Sequence, residues 1–192
     1  MPLADHHDDQ TLRQQLVNVA RCMNSTGLNQ GTSGNLSARI EGGILVTPSS
    51  LPYEQMEADD LVALDLSGHP LRRRQRRPSS EWRLHADVLN GRPEAMAVVH
   101  CHPIHATALA CHDRGIPAFH YMVAVAGGDE IRCAPYATFG TKELSDNVVK
   151  ALGPRNACLL ARHGMVTLGR DLESALRVAV EVETLARMYL QA

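Results

Sequence analysis

The sequence of 192 residues has no run of 18 consecutive apolar residues and no apolar stretch within its polar, acidic opening from Met1 to Gln15. This argues against a membrane-spanning helix and a secretory signal, and the expectation is a cytoplasmic protein with no membrane partner. Cys-x-x-Cys pairs are also missing: Cys22, Cys101, Cys111, Cys133 and Cys158 are odd in number and scattered. That distribution argues against a disulfide framework and for a reducing compartment, with the cysteines read as small buried hydrophobes. Charge of either sign is not in excess, since 19 Lys and Arg face 21 Asp and Glu for a formal charge of -2. No global attraction to nucleic acid or anionic membrane follows. The one basic run, Leu71 to Arg77, holds five arginines but no interleaved aromatics, and reads as a solvated loop. With no internal repeat, low-complexity tract or linker, residues 1–192 are expected to form a single domain.

The stretch that organises the rest is Ala97-Val98-Val99-His100-Cys101-His102-Pro103. It reads as a buried β-branched strand that ends at a proline unable to extend a ladder. Side chains alternate along a strand, so His100 and His102 point to one face and Cys101 to the other. Two convergent imidazoles suit a divalent metal such as zinc, which needs at least three protein ligands. The alternative is a pair of hydrogen-bonded histidines with no catalytic role. His163 repeats the arrangement, following the apolar strand Ala157 to Ala161 and preceding Gly164, and supplies a third ligand.

Around these lie three loops rich in hydroxyls and glycine: Gly31 to Ser37, Thr47 to Ser50, and Pro78 to Ser80. Such loops can cradle a phosphate through hydroxyls and backbone N–H groups, or can be ordinary turns. Helices are expected over Asp9 to about Asn24, Ser80 to about Asn90, Ile104 to His112, Thr141 to Leu152 and Asp171 to about Leu190. Further strands are expected at Asn35 to Ile40, Gly43 to Thr47, Leu61 to Leu66, Ile116 to Met122, Ile131 to Pro135 and Met165 to Leu168. Ala124 to Gly128 reads as a turn of small residues. Glu81 would sit in the first turn of its helix, where an acid complements the helix dipole, or serve as a catalytic carboxylate. His105 and His112 read as structural or surface residues. The order of elements predicts a mixed sheet flanked by helices.

Taken together, the motifs resemble the class II aldolase and adducin family. They are Gly-Leu-Asn-Gln-Gly-Thr-Ser-Gly-Asn from Gly27, Val-Thr-Pro-Ser-Ser from Val46, Pro-Ser-Ser-Glu-Trp-Arg from Pro78, Val-Val-His-Cys-His from Val98, His-Tyr-Met from His120, Ala-Pro-Tyr-Ala-Thr-Phe-Gly-Thr from Ala134 and Arg-His-Gly from Arg162. The resemblance implies an α/β fold of three layers, α/β/α, with a central, largely antiparallel sheet. It implies one zinc ion per subunit on His100, His102 and His163, with Glu81 as a ligand of the resting metal and as the base in turnover. Gly34, Asn35, Ser49, Ser50, Ser79 and Ser80 match a phosphate pocket, and Tyr121 matches a proton donor reaching an adjacent subunit's site in a homotetramer. The implied substrate is a phosphorylated sugar. The implied reaction is reversible cleavage of a ketose 1-phosphate, of the L-fuculose 1-phosphate type, to dihydroxyacetone phosphate and an aldehyde. Aldolases of 5-deoxypentulose or methylthioribulose 1-phosphate, and metal-dependent sugar-phosphate epimerases, dehydratases and decarboxylases on the same fold, are alternatives. One departure is Ser50, where family members also carry glycine.

Overall fold

The computed structural model describes residues 4–192, with side chains from Gln10 onward. The first three residues of the polar opening lie outside the described residues. Seven strands form one sheet: β1 (Asn35–Ile40), β2 (Gly43–Val46), β3 (Val62–Leu64), β4 (Ala97–Cys101), β5 (Cys133–Ala134), β6 (Ala157–Leu160) and β7 (Gly164–Gly169). Their spatial order is β3-β2-β1-β4-β7-β6-β5. Every pairing is antiparallel except the short β5 on β6.

Strand alternation divides the core in two. One face of the sheet carries Leu36, Leu45, Val99, Cys101, Leu159 and Met165 into a cluster with three helices, α1 (Ala4–Ser25), α3 (Ile104–Cys111) and α5 (Leu172–Gln191). The other carries Ile44, Val46, Val98, Cys158 and Val166 against α2 (Trp82–Gly91) and α4 (Lys142–Leu152). The result is the expected α/β/α sandwich. Capping follows the local chemistry: Thr141 Oγ1 accepts from Leu144 N–H at the start of α4, and Asp171 accepts from Ser174 N–H at the start of α5. Gly27, just past α1, has φ +75°, the left-handed conformation expected of a residue that ends a helix.

Three expectations change. Ile116 to Met122 is not a strand: Ile116 makes a single bridge to Ile131, and Tyr121–Ala126 is a 3-10 helix that also takes up the start of the expected 124–128 turn. Pro117 has no N–H to extend the ladder, and the His120 ring accepts from Met122 N–H to start the turn. Of the five cysteines, Cys101 and Cys158 are buried, but Cys111 is exposed at the end of α3. Glu81 is not in the first turn of α2. It occupies the N-cap position, and its side chain makes no capping hydrogen bond.

Candidate active site

Strand register brings the histidines together. β4 lies between β1 and β7, with His100 opposite Asn35 on one side and Val166 on the other, and Cys101 opposite Met165. His102 stands one residue beyond β4, and His163 lies in the turn joining β6 to β7, after Arg162 at φ +57°. The three ring centroids are 4.8, 4.8 and 4.9 Å apart. Cys101 is fully buried on the opposite face of the sheet, as alternation requires.

Glu81 closes the group. Its Oε2 is 3.1 Å from His100 Nε2 and its Oε1 is 3.4 Å from His163 Nε2, while His102 Nε2 is 3.0 Å from His100 Nε2. His100 Nδ1 lies 2.9 Å from the Met165 carbonyl, which can only accept, so Nδ1 carries a hydrogen and Nε2 faces the cluster. Burial works against the ionised carboxyl of Glu81, but the facing His100 and His163 and the Asn35 amide hold it well below the usual carboxylate range. Burial also opposes protonation of His100, yet the Glu81 carboxylate and the Met165 carbonyl raise it above an ordinary imidazole. His102 is pulled down to about 3 and His163 to about 4, both chiefly by burial and then by the charge on His100.

The donor set fits a metal ion. His100, His102 and His163 each offer a ligand atom, all within 4.8 Å of one another. Glu81 Oε1 is buried with no hydrogen-bond partner, an acceptor directed into the cluster and available to a cation or a proton. Three neutral imidazoles would leave a divalent ion its positive charge.

The cluster forms one wall of a cleft of about 340 Å³ whose lining includes His102, His163 and Glu81. All six residues expected at the phosphate pocket, Gly34, Asn35, Ser49, Ser50, Ser79 and Ser80, line the same cleft. The two serine loops are joined by a bridge between Pro48 and Pro78, in which Ser49 N–H donates to Arg77 O and Ser79 N–H to Thr47 O. Those two amides are therefore engaged within the bridge. Ser50 has φ +59°, the left-handed region that favours glycine. Gly34 has no room for a side chain: a Cβ would lie 2.7 Å from His100 O and 2.8 Å from Asn29 Oδ1.

Tyr121 is not among the residues lining this cleft and is 80% exposed. His105 pairs with Glu183, whose carboxylate receives the N–H groups of His105 and Ala106 at the start of α3, and His112 is exposed at its end. The arginines of the 71–77 loop are exposed, and Gln75 between them bonds both backbone groups of Ala63 on the edge strand β3. A wider cleft of about 460 Å³ near Asp113, Arg132 and Cys133 holds none of the clustered histidines.

Five further residues support the site without being among its expected members. The buried Tyr53 hydroxyl donates to Gly34 O and fixes the glycine loop. Gly164 lies against His102, where a Cβ would be 2.5 Å from both the ring and Cys101 O. Phe139 lines the cleft beside Ser80, and its neighbour Gly140 has φ +74° with Ser80 O 2.8 Å from a notional Cβ. His85, fully buried on α2, bonds both Ser37 and Asn35.

The chain belongs to the class II aldolase and adducin family: the Class II Aldolase and Adducin N-terminal domain matches residues 14–190. A 5-methylthioribulose-1-phosphate/5-deoxyribulose-1-phosphate aldolase from Rhodospirillum rubrum is 52% identical over 178 residues, covering 93% of this chain and 80% of that protein. The L-fuculose phosphate aldolase of Escherichia coli K12 is 48% identical over 179 residues, covering 93% of this chain and 82% of the relative. Among solved structures, an L-fuculose 1-phosphate aldolase superposes with a TM-score of 0.91 at 38% identity, over 94% of this chain and 85% of that one.

Proposed function

We propose that the protein is a zinc-dependent aldolase that cleaves a ketose 1-phosphate reversibly to dihydroxyacetone phosphate and an aldehyde. The observation that carries this reading is one cleft that unites the three-histidine cluster, the Glu81 carboxylate and the serine loops. Relatives named for L-fuculose phosphate and for 5-methylthioribulose and 5-deoxyribulose 1-phosphates support the substrate class.

In this reading His100, His102 and His163 hold the ion, with Glu81 as a further ligand at rest. A divalent ion held there would supply Lewis acidity for the negative charge that develops beside the C2 carbonyl on cleavage between C3 and C4. The phosphate is held by Gly34, Asn35, Ser49, Ser50, Ser79 and Ser80, without a lysine or arginine among the described residues that line the cleft. In the condensing direction the ionised Glu81 removes a proton from C3 of dihydroxyacetone phosphate. Tyr121, exposed on its 3-10 helix, protonates the aldehyde oxygen in the site of a neighbouring copy, within a homotetramer.

The test is a coupled assay for dihydroxyacetone phosphate with L-fuculose 1-phosphate and 5-deoxyribulose 1-phosphate, with and without chelator. Release that is lost on chelation and restored by zinc is expected. An epimerised, dehydrated or decarboxylated product seen by NMR, with no dihydroxyacetone phosphate, would overturn the aldolase reading.

A further inference from the structure

His85 is fully buried on α2, over the sheet face that carries His100, and takes no part in the chemistry above. Its Nε2 lies 2.5 Å from Asn35 Oδ1 and its Nδ1 lies 2.7 Å from Ser37 Oγ. Asn35 and Ser37 are two residues apart on β1 and so share a face, with Asn35 opposite His100 in the ladder. The Asn35 amide Nδ2 donates to Glu81 Oε2 at 2.9 Å.

The direction of every hydrogen in this chain is forced. An ionised carboxylate only accepts, so Asn35 must turn its NH2 towards Glu81 and its carbonyl oxygen towards His85. That oxygen only accepts, so His85 must carry its hydrogen on Nε2. Nδ1 of the neutral ring then accepts, and the Ser37 hydroxyl donates. Burial keeps the ring neutral, pulling His85 down to about 3, with the charge on His100 acting in the same direction. Each residue of the chain is buried, with Asn35 at 4% and Ser37 and His85 at 0% exposure, so no water competes for the roles.

We propose that His85 is a positioning residue for the base: the Ser37–His85–Asn35 relay locks the Asn35 amide onto Oε2 of Glu81 and leaves Oε1 as the oxygen that takes the substrate proton. The inference rests on Glu81 acting as the base. In the step it serves, the C3–H bond of dihydroxyacetone phosphate breaks, the electron pair stays with the substrate carbon, and the proton goes to Oε1. Oε1 is suited to that task because it alone of the two carboxylate oxygens has no hydrogen-bond partner. Without His85, the Asn35 carbonyl oxygen loses its buried donor, and the amide is held at its Glu81 end alone.

The direct measurement is exchange of the C3 proton of dihydroxyacetone phosphate with D2O, followed by NMR on the metal-loaded enzyme. It is compared with steady-state constants and bound metal. His85→Leu should slow exchange and kcat by about 10–100-fold, as loss of a supporting hydrogen bond behind a site does. KM, to which Asn35 contributes through the phosphate pocket, should rise by less than kcat falls, and metal content should stay close to wild type. His85→Gln keeps a donor towards Asn35 and should recover most of the loss, which a purely packing role for the ring would not produce. In metal-free protein, ¹⁵N NMR should find His85 as the neutral Nε2–H tautomer, and Ser37→Ala should weaken that preference. This readout and the His85→Gln comparison carry the test if His85→Leu does not fold. The control is Glu81→Gln. If exchange persists in it, the base assignment fails and this proposal with it. If Glu81→Gln abolishes exchange while His85→Leu exchanges at the wild-type rate, or if His85 carries its hydrogen on Nδ1, the relay alone is overturned.

Discussion

Ser50 concentrates the tension between backbone and ligand at a single residue. Its φ of +59° is a conformation that an L-residue adopts at a cost of about 1–2 kcal/mol, partly balanced by the greater chain entropy that glycine loses on folding. Ser50→Gly should therefore stabilise the fold by up to about 1 kcal/mol, read as a raised urea midpoint. Ser50→Ala retains the backbone cost and removes only the hydroxyl, so the pair separates strain from ligand binding through KM. At this scale the sequence is unequally legible. Alternation makes His100 and His102 converge and sends Cys101 behind the sheet, and both are readable from two-residue spacing. His85 is not, because a histidine on the apolar side of a helix looks the same whether it packs or orients a neighbour. Its meaning comes from Asn35 and Ser37, about fifty residues earlier, being brought beneath α2 by the sheet.

Between elements, the cluster depends on the register of β4 against β7. Met165 opposite Cys101 sets Gly164 beside His102, and the His102 ring and Cys101 O occupy the space that a Cβ would need. Gly164→Ala should displace His102 and lower zinc affinity by roughly tenfold or more, measured by competition with a chromophoric chelator, while circular dichroism retains the native helix content. The strands of the centre were legible from their apolar, β-branched runs. The 116–122 segment was not, although it includes Ile, Phe and Tyr. A lone bridge at Ile116, a proline next to it and a side-chain cap from His120 outweigh strand propensity there, and of these only the proline can be read from the sequence.

For the whole molecule, the buried neutral histidines make stability depend on pH. His85 has a folded value of about 3 against an ordinary 6.5, so between those values the unfolded chain binds the extra proton and stability falls as pH falls. For metal-free protein the His85 contribution lost between pH 7 and pH 4 is about 3 kcal/mol. His85→Gln should show a shallower fall in urea midpoint over that window than wild type. Glu81, whose carboxyl is held low, adds to the same trend, since its contribution is lost as pH falls below the ordinary carboxyl value towards its folded one. The proposed sharing of sites between copies has its own consequence. Glu81→Gln and Tyr121→Phe proteins, each weakly active alone, should regain activity when unfolded and refolded together. Mixed assemblies would then contain some sites with both native side chains, and recovery no greater than the average of the separate proteins would count against a shared site.

The bridge between Pro48 and Pro78 bears on selectivity. It binds the two serine loops into one piece, and Glu81 continues directly from that piece, its N–H donating to Ser79 Oγ at 3.2 Å. The serine loops proposed to grip the phosphate and the carboxylate proposed to act on carbon are thus set apart by two residues of covalent chain, like the fixed jaw of a calliper. In the proposed reaction, the span from phosphorus to the carbon that loses its proton admits little variation. Diversity among substrates falls on the far side of the breaking bond, where the aldehyde meets surfaces that this jaw does not touch.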